Sequence, residues 1–224
     1  MITNETEAEP RLRTPWVVIL LTAAIVASYA AFTFASLSEQ NAIDFRFALI
    51  PERFDPASPI AFANWTEAVA ALFGHAFLHL AWWHAGLNAF FFFATARVPA
   101  LRIGWWRFLL VFFASALGGA LAFVALNWSE ETAAVGASGA VCGVFMAYFL
   151  SVRADWRESL RIPMVRNQAL MIVFINVVLM GAASELGWFP IAWEGHLGGF
   201  VGGFLAYVLL APRRRQGPWS SAPA

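Results

Sequence analysis

Residues 135–150, VGASGAVCGVFMAYFL, set one serine among very small side chains: Gly136, Ala137, Gly139, Ala140 and Gly143 surround Ser138. Such neighbours leave room for another backbone to reach the hydroxyl. A serine attacks a carbonyl only when a base accepts its proton, and a neutral imidazole does this best near physiological pH. The candidate base is His196 in EGHLGGFVGGFLAY, followed by Gly199 and Gly203, with Gly195, Gly198 and Gly202 adding to a smooth helix face. A helix carrying that face, packed on the glycines around Ser138, brings base and nucleophile together. Each segment taken alone is equally a close helix contact of the small-xxx-small kind; the pairing is what makes acyl-transfer chemistry specific.

All four histidines, His75, His79, His84 and His196, lie in or beside apolar stretches. In HAFLHLAWWHAGLNAF, His84 and Asn88 are four apart and share a helix face, so both can point into one polar cavity or act as interhelical hydrogen-bonding glue. His75 and His79 have the same spacing, which raises a metal site. No HExxH arrangement and no neighbouring Asp or Cys completes a ligand set, so structural roles are favoured and neither metal nor cofactor is expected.

These side chains need a frame, and composition says what kind. Hydrophobic residues make up 60% of the 224, charged residues 12%, and mean hydropathy is +0.65; lipid is the expected solvent. The net charge is zero, so no basic field recruits nucleic acid. The single Cys142 forms neither an internal disulfide nor a Cys-rich metal cage. Uncharged runs at 14–38, 68–96, 108–129, 132–152, 167–184 and 195–212 are in or near the ~17–25 residues that cross a bilayer. This predicts an all-α membrane protein of six transmembrane helices, with a cytoplasmic tail at 1–14, a membrane domain at 15–211 and a second tail at 212–224. The loop at 39–67, with Pro51, Pro56 and Pro59, is either an interfacial element or a plain connection.

Arginine placement orients the frame. With both termini inside, Arg46 and Arg53 alone fall outside, while the other arginines lie on the cytoplasmic side. The fourth span is apolar only from about 139 to 152, roughly 21 Å of helix against about 30 Å of hydrocarbon. Ser138 is therefore predicted below the outer surface, at a helix N-terminus whose free N–H groups favour developing negative charge.

HxxxHxxxxHxxxN in the second span, GxSG opening the fourth and HxxGxxxG in the sixth, in that order over about 15–211, resemble the rhomboid intramembrane serine proteases. The resemblance implies a Ser-His dyad, Ser138 and His196, that hydrolyses peptide bonds of transmembrane substrates within the bilayer. It further implies an oxyanion hole of His84, Asn88 and the Ser138 backbone N–H, an approach kept clear by Gly136, and packing glycines at Gly199 and Gly203. Two departures stand out. The Trp-Arg pair common in the family's first outer loop is replaced by Ala70-Ala71, and the aromatic residue often found four after the serine is Cys142, which leaves Phe145 or Tyr148 to orient the imidazole. A bacterial inner membrane is the expected location. A catalytically inactive relative that binds transmembrane segments and a small transporter are the alternatives; the first would be expected to lack Ser138 or His196, the second to show an internal repeat or an embedded carboxylate.

Overall fold

The computed structural model describes residues 13–128 and 130–211, where every regular element is helical apart from one isolated antiparallel bridge, Leu49 to Ala134. The expected tails, with Arg11, Arg213, Arg214 and Arg215, lie almost entirely outside the described residues. The helices are α1 (Trp16–Phe34), α2 (Leu37–Phe47), α3 (Trp65–Gly74), α4 (Trp82–Ile103), α5 (Trp105–Leu126), α6 (Ser138–Leu150), α7 (Trp156–Arg161), α8 (Pro163–Val173), α9 (Met180–Glu185) and α10 (Trp193–Leu210). A π-helical turn, Phe174–Leu179, joins α8 to α9 without a break. Among the described residues, three stretches are long and apolar enough to cross a membrane: Trp16–Phe34, Trp105–Leu126 and Pro163–Glu185.

Local chemistry sets several boundaries. Ser36 and Glu39 form a reciprocal capping box at the start of α2. The Asn64 side chain accepts from the N–H groups of Thr66 and Glu67 to start α3. Gly104, at φ +83°, ends α4 and opens α5 in one residue, a conformation that favours glycine. Pro163 begins α8, where its missing N–H costs nothing.

The core is built where α10 lies against both α5 and α6. Gly118 and Gly119 of α5, Gly139 and Gly143 of α6, and Gly195, Gly198, Gly199, Gly202 and Gly203 of α10 face one another with backbone on backbone. A Cβ added at Gly199 would run into the Gly139 carbonyl, and one at Gly203 into the Gly143 backbone. Beside this seam, Phe92, Phe108, Val111, Phe112, Ala140 and Val144 fill the interior between α4, α5 and α6.

Two predicted spans need correction. The run 68–96 is not one helix: α3 ends at Gly74, residues 75–77 form a single 3₁₀ turn, Leu78 is extended, and α4 begins only at Trp82. His75 and His79 therefore do not share a helix face. The fifth span, read as short at 167–184, is 23 residues long at Pro163–Glu185. Counting uncharged residues stopped it at Arg166, whereas an arginine near a helix end can extend its head to water and leave the helix intact.

The outer loop is an ordered unit centred on Arg53, which is only 3% exposed. Its guanidinium lies between the rings of Phe45 and Phe62, 4.0 and 4.1 Å from their centroids. It donates to the Phe45 carbonyl, to the Ile60 carbonyl at 3.3 Å, and pairs with Glu67 at 3.5 Å. Burial lowers the Arg53 pKa, and the Glu67 charge opposes that shift. Ala70-Ala71 thus leave no gap in the anchoring, because Arg53 anchors the loop from within.

Candidate active site

Ser138 is the first residue of α6, a helix of 13 residues. At ~1.5 Å per residue it is about 20 Å long. The first backbone bond of the helix runs from the Val141 N–H to the Ala137 carbonyl at 2.9 Å, so the N–H groups of Ser138 and Gly139 stand ahead of the helical ladder. Gly136, at φ +124°, turns the chain into the helix. A side chain there would be strained, and its Cβ would sit 2.8 Å from His84 Cε1 and 2.9 Å from Nε2. The glycine is what lets the chain pass the imidazole.

The turn before Ser138 is held by the broken second span. The Gly136 N–H donates to the His75 carbonyl at 2.8 Å, and the Ala137 N–H to His79 Nε2 at 3.4 Å. The Nδ1–H of His75 donates to the Ala71 carbonyl at 3.1 Å. Outside this turn, Leu49 and Ala134 exchange two backbone bonds of 3.0 and 2.9 Å, tying the lead-in to the outer loop. Positions that sequence spacing marked as a possible ligand pair serve as scaffolding for the serine.

His84 and Asn88 lie on α4 facing this turn. The same notional Cβ on Gly136 is 3.8 Å from Asn88 Nδ2, which donates one N–H to the His84 carbonyl at 3.1 Å. The amide has a second N–H. His84 and His79 stack edge to face with centroids 5.0 Å apart.

His196 sits in the first turn of α10, buried, one residue after Gly195. Gly139, next to Ser138, backs onto that glycine: a Cβ at Gly139 would be 3.0 Å from the Gly195 carbonyl and 3.6 Å from Gly119 Cα. Three helices thus converge through glycines beside the two candidate residues. Among the described residues no hydrogen bond joins Ser138 to His196 in this structure. A small cavity of about 30 Å³ opens beside the serine, lined by Ser138, Gly136, Gly139, Gly195, His75 and Leu49 among others. His84, Asn88 and His196 are not among its walls.

The orientation of His196 rests on a group that spacing could not reveal. Its Nδ1 is 3.0 Å from the backbone carbonyl of Asn176, within the π-helical turn. A carbonyl only accepts, so Nδ1 carries the proton and the lone pair is on Nε2. Phe145, expected as a possible stacking partner, pairs with Phe91 at 5.9 Å, and Tyr148 with Phe149 at 5.5 Å. Glu194, an outer-side carboxylate two residues before His196, accepts from Asn127 Nδ2 at 3.2 Å. Cys142 is a buried free thiol.

Comparison with known proteins shows the family. A family model described as the Rhomboid domain matches residues 66–213. The chain is 28% identical over 129 residues to Rhomboid-type serine protease 2 of Emericella nidulans, a match covering 57% of this chain and 24% of that protein. The chain therefore spans about a quarter of the length of that curated relative. With the matched region holding both the Ser138 and the His196 segments, this apolar, all-helical chain belongs to the rhomboid family and is an integral membrane protein.

Proposed function

We propose that the chain is an intramembrane serine endopeptidase that cleaves peptide bonds in or near transmembrane segments of other membrane proteins. The observation that carries this reading is the glycine contact of Gly139 with Gly195, which seats the helix start bearing Ser138 against the helix start bearing His196. In this reading six segments cross the bilayer, both termini are cytoplasmic, and the protein sits in a bacterial inner membrane. The shortness of α6 supports a serine below the outer surface, reached from an outward-facing polar pocket. Substrates enter laterally beside Pro163–Glu185, and segments with small or helix-breaking residues near the outer face are preferred because the serine must meet an extended backbone.

In the reaction, Ser138 Oγ attacks the scissile carbonyl while His196 Nε2 accepts its proton and then passes it to the leaving amine. The bond from Nδ1 to Asn176 keeps Nε2 free for that task. The oxyanion forms against the N–H groups at the start of α6 and the free N–H of Asn88. His84 frames the same space.

A second reading draws on the missing hydrogen bond between Ser138 and His196: a relative that binds transmembrane segments without cutting them. One experiment separates the two. Detergent-solubilised full chain is incubated with a generic single-span substrate, beside His196→Ala. Cleavage by the parent chain and none by the variant supports the protease; substrate capture without cleavage supports the binder.

A further inference from the structure

The proposed dyad has a base but no acid to orient it, and the structure supplies a different orienting group. We infer that Asn176 is the positioning residue of His196, acting through both its main chain and its side chain. This inference rests on the protease reading for its catalytic meaning, though not for its geometry.

Three observations carry it. First, the Asn176 carbonyl receives the Nδ1–H of His196 at 3.0 Å, the bond a triad carboxylate makes elsewhere. Second, Asn176 stands in a π-helical turn, Phe174–Leu179. An inserted π turn widens the helix and takes carbonyls out of the i to i+4 ladder, so one becomes available to a neighbour. The Asn176 side chain reinforces that turn, since its Nδ2 donates to the Ile172 carbonyl at 2.9 Å. An aliphatic residue of the same size could not do this.

Third, the turn is held in register with α10 by a separate contact. Gly181, five residues on, lies under the Trp193 ring, where an added Cβ would be 3.1 Å from Trp193 Cγ. The Ile191 N–H also donates to Ser184 Oγ at 3.3 Å, tying the end of α9 to the lead-in of α10. His196 is three residues beyond Trp193, so a larger side chain at 181 would move the carbonyl away from the imidazole.

Together these make the protonation pattern of His196 depend on how the α8–α9 helix is seated against α10. A carboxylate would hold the ring by charge; a backbone carbonyl holds it by position alone. The sequence consequence is that Asn176 and Gly181 act on turnover through His196, although neither belongs to the dyad.

The test reads the ring directly. Full-length protein labelled with ¹⁵N-histidine is examined by NMR in detergent micelles, with the His196 signals assigned by their loss in His196→Gln. In the parent chain His196 should be neutral and protonated at Nδ1. Asn176→Leu and Gly181→Leu should each lose that tautomer and lower kcat by about 10²-fold, with KM nearly unchanged. The double variant Gly181→Leu, Trp193→Ala, which makes room for the leucine, should recover both. A parent ring protonated at Nε2, or a tautomer and kcat unchanged in both single variants, overturns the inference. Because the tautomer is read without substrate, a chain that cleaves nothing but shows the Nδ1–H signal and its loss supports the positioning role and removes the protease reading instead. Where Gly181→Leu yields no folded protein, Asn176→Leu decides.

Discussion

Gly139 and Gly195 touch so closely that a methyl group on Gly139 would lie 3.0 Å from the Gly195 carbonyl. Each glycine neighbours one of the two residues proposed to do the chemistry, so this contact sets how far Ser138 is from His196.

The glycine seam should be intolerant of side chains on α10. A branched side chain at Gly199 meets the Gly139 backbone, which cannot move aside as a flexible side chain can. Gly199→Val should destabilise the protein by about 1–3 kcal/mol or more, read as a lower thermal midpoint in detergent. Gly86, around which an added Cβ meets nothing within 4 Å, is the control: Gly86→Ala should leave the midpoint unchanged or raise it. Equal effects at both positions would contradict the packing account.

Asn88 should matter to the rate and little to binding. Its amide has one N–H on the His84 carbonyl and the other available for an oxyanion, so Asn88→Ala should lower kcat by roughly tenfold or more. KM should stay nearly constant. A rise in KM at constant kcat would move Asn88 from the oxyanion hole to substrate binding.

The outer loop should depend on the shape of Arg53 as well as its charge. Arg53→Ala leaves the Phe45 and Ile60 carbonyls without their donor and removes two ring contacts, for an expected cost of about 3 kcal/mol. Arg53→Lys keeps the charge without the planar fork and should recover only part of it. Limited chymotrypsin digestion checks this, since Phe54 and Phe62, now packed edge to face at 4.8 Å, should be cut faster in both variants. Identical digestion of parent and variants would show that the loop is held by something else.

How much of this was legible in the sequence depends on which atoms carry the information. The glycine face of α10 and the small residues around Ser138 recur at helical spacing, so their meeting could be anticipated from side chains alone. The break at 75–81 could not, because an uninterrupted uncharged run there conceals it. The 3₁₀ turn is stabilised by tertiary bonds, from the Gly136 N–H to the His75 carbonyl and the Ala137 N–H to His79, and window-based reading does not register those. Arg53 left a signal: with Arg46 it is one of two arginines on a side otherwise rich in acids, and Phe45, Phe54 and Phe62 lie close to it in sequence. The Asn176 carbonyl left none, since every residue has one and a π turn has no side-chain signature.

The central claim is that Ser138 is a nucleophile activated by its surroundings, and covalent labelling tests it most directly. Detergent-solubilised protein is treated with a serine-directed fluorophosphonate and the modified peptide is located by mass spectrometry. The label should fall on Ser138, be absent from Ser138→Ala, and vanish together with cleavage of a single-span substrate. Cleavage that persists undiminished in Ser138→Ala would contradict the account.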